Sequence, residues 1–235
     1  LIAAEFTRLA KEAFAVRDLT GTISYLERAQ AADASIQDLE DVRDLLSQAV
    51  ELRTTIRAIL DEARLYRSMD QLVELCNKQN IAIVEDACES LGTFYNEGKY
   101  KGKHTGTIGK FGCLSFNGNK IITTGGGGMI LTDDKILAEK AKYLTTQAKD
   151  DPIRYVHDEI GYNFRLTNIQ AALGVAQLEQ LPEILQRKKE INDFYRLTIE
   201  NIEGLYLSKM PDYADNNHWL NLLQIDKNIY GEDCK

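Results

Sequence analysis

No apolar run in this 235-residue chain approaches the roughly 20 residues that a bilayer span requires, so a transmembrane helix is not expected. Glu5, Arg8, Lys11 and Glu12 interrupt any signal-peptide core near the start. There is no basic excess either: 28 Lys and Arg against 36 Asp and Glu give a formal charge of -8. That balance leaves no electrostatic footprint for nucleic acid or for anionic lipid, so neither is expected as a partner. Cysteine is scarce, and Cys76, Cys88, Cys113 and Cys234 form no C-x-x-C pair and no metal-ligand spacing. The simpler expectation is a reducing, cytoplasmic setting with no metal centre. Leu1 rather than Met opens the chain, so it is expected to begin inside a longer reading frame.

Glycine and proline are missing from one part only. Residues 1–67 hold a single glycine (Gly21), no proline, and eight Arg against one Lys; the remainder holds 15 glycines, all three prolines, and 15 Lys against four Arg. Hydrophobic residues make up 44% of the chain, enough to build a core, so disorder is excluded. The contrast predicts two segments: a helical hairpin or bundle over 1–67 and a different domain over 68–235.

In the first segment Ile2, Phe6, Leu9 and Ala13 recur at helical spacing, and Asp18 to Gly21 reads as a break. Ile23, Leu26 and Ala29 open a second stripe. Ser35 with Asp38 reads as the capped start of a third helix, whose apolar stripe runs Leu39, Val42, Leu46, Ala49, Ile56, Leu60 and Ala63. A packing or oligomerising role is expected there.

From residue 69 helix and strand patterns alternate. Met69–Gln79 reads as a helix, and Ile81–Val84 as a buried parallel strand with Asp86 at its carboxyl end. Cys113–Phe116 and Met129–Leu131 read as further strands around a glycine tract at Gly125–Gly128. Asp133–Ala148 and Asn168–Glu200 read as helical, the latter broken near Pro182, and His218–Ile225 as a last strand. The expected class is α/β with a mostly parallel sheet.

Three pieces carry chemistry: Val84-Glu85-Asp86-Ala87, Ser115-Phe116-Asn117-Gly118-Asn119-Lys120, and Gly161-Tyr162-Asn163-Phe164-Arg165 leading into Thr167–Leu173. Open α/β sheets place ligand-binding groups at strand carboxyl ends. An acid, a hydroxyl and a lysine at such ends can hold pyridoxal phosphate, although acid–lysine pairs are more often plain surface salt bridges. His104, among Lys99, Lys101 and Lys103, reads as a solvated loop histidine; His218 and Trp219 read either as sugar-side lining or as core.

Taken together, these motifs resemble the DegT/DnrJ/EryC1/StrS family of sugar aminotransferases over residues 69 to about 230. Ile83–Ala87, Ser115–Gly125 and Gly161–Ala172 carry the match. The resemblance implies part of a fold-type I, three-layer domain and amination of a nucleotide-linked keto sugar, with glutamate as donor, for glycan biosynthesis. It implies that Lys120 is the Schiff-base lysine and proton-moving base. Asp86 would pair with the pyridine nitrogen, Ser115 would bind phosphate, and Glu89 would lie near the ring hydroxyl. Asn163 would reach the phosphate held by a neighbouring subunit, which implies a homodimer. The family also uses an amino-terminal phosphate-gripping turn and a stacking aromatic ring that residues 1–67 do not match. It carries a small carboxyl-terminal domain that would continue beyond Lys235. A catalytically inactive derivative, serving as a helical interaction protein, is therefore the alternative.

Overall fold

The computed structural model describes residues 2–15, 18–32, 39–65, 68–151 and 153–231. They form two compact units, Leu1–Arg67 and Ser68–Lys235. No helix among the described residues is long and apolar enough to cross a membrane.

The first unit is three helices: α1 (Ile2–Ala15), α2 (Leu19–Ala32) and α3 (Leu39–Leu65). Ala10 and Leu26 are fully buried, with Tyr25, Leu45 and Leu46 packed around them. The expected break before α2 is shorter than Asp18–Gly21. Asp18 accepts a hydrogen bond from the Gly21 backbone N–H at 2.9 Å and thereby caps α2, so Gly21 lies inside the first turn. The expected cap at Ser35 lies outside the described residues. On α3, Ala49 is buried while Ile56 and Leu60 are exposed, so only part of the expected stripe is covered.

The second unit opens with α4 (Met69–Lys78), β1 (Val84–Asp86), β2 (Phe94–Tyr95), β3 (Phe111–Ser115) and β4 (Gly128–Leu131). It continues through α5 (Lys135–Thr145), α6 (Asn168–Leu178), α7 (Leu181–Ile199), β5 (Leu205–Leu207), β6 (Ala214–Asp215), β7 (Leu223–Ile225) and α8 (Lys227–Tyr230). Helix starts follow local chemistry. Ser68 caps α4, Asp134 caps α5, and Thr167 with Gln170 forms a capping box on α6. Pro182 lies in the first turn of α7, where a missing N–H costs nothing, and this separates α6 from α7.

The three-stranded sheet runs β1-β3-β4. β1 and β3 are parallel as expected, with Asp86 opposite Cys113. β3 and β4 are antiparallel, so this sheet is mixed rather than mostly parallel. The physical reason is the connection. No helix crosses between β3 and β4; instead Gly125 and Gly127 adopt positive φ, and the Phe116 N–H donates to Gly127 O at 3.0 Å, turning the chain straight back. The pairs β2-β6 and β5-β7 are antiparallel as well.

β1 begins three residues later than Ile81. The Ile81 N–H still donates to Cys76 O at the end of α4, and the ladder with β3 starts only at Val84. Nor is it a buried strand, since Val84 is 61% exposed. The last strand is likewise shorter than His218–Ile225, because Asn217 and Trp219 are engaged by side-chain bonds instead. The core beneath the sheet is Ala87, Leu114, Phe116 and Ile122, with Leu91, Leu131, Leu181 and Ile184 against it.

Candidate active site

Because β1 and β3 are parallel and in register, their carboxyl ends point the same way. Asp86 ends β1 and Ser115 ends β3. Buried Ala87 and Phe116 follow them directly, so the core anchors the chain just beyond both groups.

Asp86 is exposed, and its Oδ1 accepts the Cys88 backbone N–H at 3.2 Å. Hydrogen bonding from the Cys88 thiol and then from its N–H, with the nearby Lys120 charge adding, holds the Asp86 carboxyl below its ordinary value. The reciprocal effect, led by the same hydrogen bond, pushes the Cys88 thiol up to about 11. An anionic Asp86 is therefore the state built into the turn.

Lys120 sits in the loop after β3, where its backbone N–H donates to Asn117 O at 3.1 Å. Its side chain is only 12% exposed although it ends in an ammonium. The Nζ lies 3.1 Å from Glu89 Oε1 and 4.6 Å from the centroid of the Trp219 ring. An anion and an aromatic face together stabilise the cation where it stands. Trp219 is held in turn, its Nε1–H donating to Asn119 O at 2.6 Å.

Beneath these contacts lies Asn217, 3% exposed. Its Nδ2 donates to Glu89 O at 2.9 Å and to Leu91 O at 3.0 Å, while its Oδ1 accepts the Trp219 N–H at 3.0 Å. One buried amide therefore fixes the turn bearing Glu89 and the segment bearing Trp219. Ser115 is half-buried, with its Oγ 3.5 Å from the Asn117 N–H.

The structure thus joins Lys120 directly to Glu89, places Asp86 within electrostatic reach of Lys120, and puts Ser115 at the neighbouring strand end. Asn163 stands apart: it is exposed and bridges to Thr146, and among the described residues no hydrogen bond links it to the other four. A cavity of about 730 Å³ between β4, α5 and the stretch Phe164–Leu166 includes none of the five.

Two sequence expectations change. His104 is not a solvated loop residue: its Nε2 accepts the Gly92 N–H at 2.7 Å, and its ring meets Phe94 edge-on at 5.1 Å. The glycine tract does not pass behind the lysine. The close approaches are at Gly127, where an added Cβ would stand 2.7 Å from Leu166, and at Gly128, 2.6 Å from Leu114 O. Asn217 was not legible, because two of its partners, Leu91 and Glu89, lie 126 and 128 residues away, and its local bond to the Trp219 N–H is an ordinary turn contact.

Adjacent parallel strands thus end in an acid and a hydroxyl, with a shielded lysine in the loop that follows, within part of a fold-type I domain. The sequence profile of the DegT/DnrJ/EryC1/StrS aminotransferase family matches residues 28–230, and the chain belongs to that family. The match starts within α2, well before residue 69. EpsN of Bacillus subtilis (strain 168), provisionally named a pyridoxal phosphate-dependent aminotransferase, is 45% identical over 163 residues, covering 68% of this chain and 40% of its own length. GDP-perosamine synthase of Escherichia coli O157:H7 is 46% identical over 134 residues, 57% of this chain and 35% of its own length. Among solved structures, Helicobacter pylori PseC, an aminotransferase involved in the biosynthesis of pseudoaminic acid, superimposes with a TM-score of 0.61 at 26% identity, over 72% of this chain and 44% of that one. The chain therefore spans less than half the length of these relatives.

Proposed function

We propose that this chain carries the lysine-bearing part of a pyridoxal phosphate-dependent aminotransferase site for a nucleotide-linked keto sugar, with glutamate as amino donor, in glycan biosynthesis. The carrying observation is the shielded Lys120 amine, held between Glu89 and Trp219 beside an Asp86 that the turn keeps anionic. The donor set fits the cofactor: an amine for its aldehyde, an anion for its pyridine nitrogen, and a strand-end hydroxyl for its phosphate.

When bound, pyridoxal phosphate supplies an electron sink for the substrate carbon that loses its proton. The chain's own residues do the rest. Asp86 holds a proton on the pyridine nitrogen, Lys120 Nζ anchors the cofactor and then moves the proton as a base, and Ser115 binds phosphate. Glu89 orients Lys120 and would lie near the cofactor's ring hydroxyl. The sugar class is supported by relatives whose names specify GDP-perosamine synthesis and a UDP-linked amino sugar transaminase.

The same reading includes a cytoplasmic homodimer in which Asn163 reaches a neighbouring subunit's site. It is supported by the exposed apolar side chains around Asn163, such as Ile160 and Phe164, and by the free thiols of Cys76, Cys88 and Cys113. Light scattering at several concentrations tests the dimer; a constant mass near 26.5 kDa overturns it.

The test of the site uses the whole chain. It is incubated with pyridoxal phosphate, reduced with borohydride and mapped by peptide mass spectrometry. The pyridoxyl label is expected on Lys120, with loss of the bound cofactor's visible absorbance in Lys120→Ala. Absorbance that survives Lys120→Ala, or a label spread over surface lysines alone, overturns the proposal and favours the inactive derivative.

A further inference from the structure

The loop that carries Lys120 is gripped from a helix 54 residues away. The Gln177 Oε1 on α6 accepts the Thr123 backbone N–H at 3.1 Å, and its Nε2 donates to Thr123 O at 2.5 Å. One side-chain amide therefore satisfies both polar groups of a single loop residue, as a strand neighbour would. A two-point grip fixes orientation as well as distance, which a single hydrogen bond does not.

Other contacts converge on the same place. Gly174, one turn before Gln177 on the same face of α6, brings the helix so close that an added Cβ would stand 3.0 Å from Thr124 Cγ2. Thr123 Oγ1 donates to Phe116 O at 3.1 Å and accepts the Gly125 N–H at 2.9 Å, so the gripped residue also closes the base of the loop. Ile122 beside it is 3% exposed in the core that holds Ala87. Between this anchored base and Asn117 only a few residues remain, and Lys120 is among them. Without the grip, two backbone groups lose their partners and the loop is free to shift against Asp86.

We infer that Gln177 is a positioning residue for Lys120, acting through the Thr123 peptide groups; the inference rests on Lys120 being the cofactor lysine. Gln177→Met removes both bonds at similar length. Gln177→Glu keeps the shape but sets a carboxylate oxygen against Thr123 O. Lys120 modification by pyridoxal phosphate, trapped with borohydride, is expected to slow about tenfold in the Met variant and further in the Glu variant, with labelling of exposed Lys101 unchanged. A role in shape alone would leave the isosteric Glu variant like the parent.

Two readouts need no cofactor. Hydrogen exchange at the Thr123 amide is expected to accelerate in Gln177→Met, which offers it no carbonyl acceptor, and less in Gln177→Glu, which loses only the bond to Thr123 O. The emission of Trp219, the sole tryptophan, whose indole N–H is bonded to Asn119 O, is expected to shift. If the parent chain fails to label at Lys120, the functional reading falls while these two readouts still decide the grip. Thr123 exchange and Trp219 emission like those of the parent in both variants overturn the inference. If the Met variant does not fold, Gln177→Glu alone decides it by the Trp219 emission, parent-like emission there overturning the inference.

Discussion

Among the described residues of the helical unit the buried ones are mostly small or aliphatic and lie on neighbouring helices, Ala10, Ala13, Ile23, Leu26, Ala29 and Ala49, with Thr7 and Thr22 the buried polar ones. Arg8 there pairs locally, with Glu5 and Glu12 one turn away. In the α/β unit the contacts that shape the site are polar and long-range, reaching from Asn217 to Glu89, from Trp219 to Asn119 and from Gln177 to Thr123. The difference teaches how each unit responds to damage. Loss of apolar volume is spread over a helical face, whereas loss of one amide leaves several directed groups without partners.

The largest test of that contrast is Leu26→Ala, which removes a fully buried side chain from the helical unit. A loss of about 3–4 kcal/mol is expected. Helical circular dichroism should melt at lower temperature, while the emission of Trp219, which lies in the second unit, keeps its midpoint. Midpoints that fall together break the comparison, since the units then unfold as one.

A second test reads the site electrostatics. At pH 8 the Cys88 thiol, pushed from an ordinary 9.0 to about 11, should alkylate roughly 100-fold more slowly than an unperturbed cysteine. A folded-state value raised above the unfolded one gives stability that is complete below about 9 and is lost as pH rises through about 11. Asp86→Asn should abolish most of that protection, because the Asp86 hydrogen bond is the leading cause. Mass-resolved alkylation of Cys88 measures both, and an ordinary rate in the parent chain removes the Asp86–Cys88 contact from the description.

Asn217→Ala deletes two donors and one acceptor at a position that is nearly wholly buried, and should cost about 2–3 kcal/mol. The Lys120 label should drop with it, and hydrogen exchange should rise in the 89–93 turn but not in α1–α3. Denaturant unfolding followed by Trp219 emission measures the loss. A change below about 0.5 kcal/mol would place Asn217 with ordinary surface residues.

Gly174→Ala is the mildest. The helix gains about 1 kcal/mol from alanine, while crowding against Thr124 costs somewhat more, for a net loss of about 1 kcal/mol or less. A clear gain in melting temperature would show that the loop yields and that the contact of α6 with it is soft.

What could be read beforehand follows from the range of the forces. The helices were legible because 3.6-residue periodicity acts within a few residues, as at Ile2, Phe6, Leu9 and Ala13 of α1. The β1 boundary was missed because the run Ile81–Val84 is equally apolar throughout, and only the departure from α4 decides where pairing begins. The β4 direction was missed because a short apolar run carries no sign of whether its neighbour runs with or against it.

For the site, the residue types alone determined the chemistry on offer: an acid after an apolar run, a hydroxyl and a lysine a few positions beyond another, and ordered motifs that place the chain in its family. Those are covalent facts of the chain and survive any fold. Only the tertiary structure decided that Lys120 meets Glu89 and Trp219, that Asn217 ties their backbones together, and that Gln177 grips the loop from α6. These contacts depend on directed hydrogen bonds between residues 31 to 128 positions apart, and such bonds exist only once the sheet and the helices have brought their partners within about 3 Å.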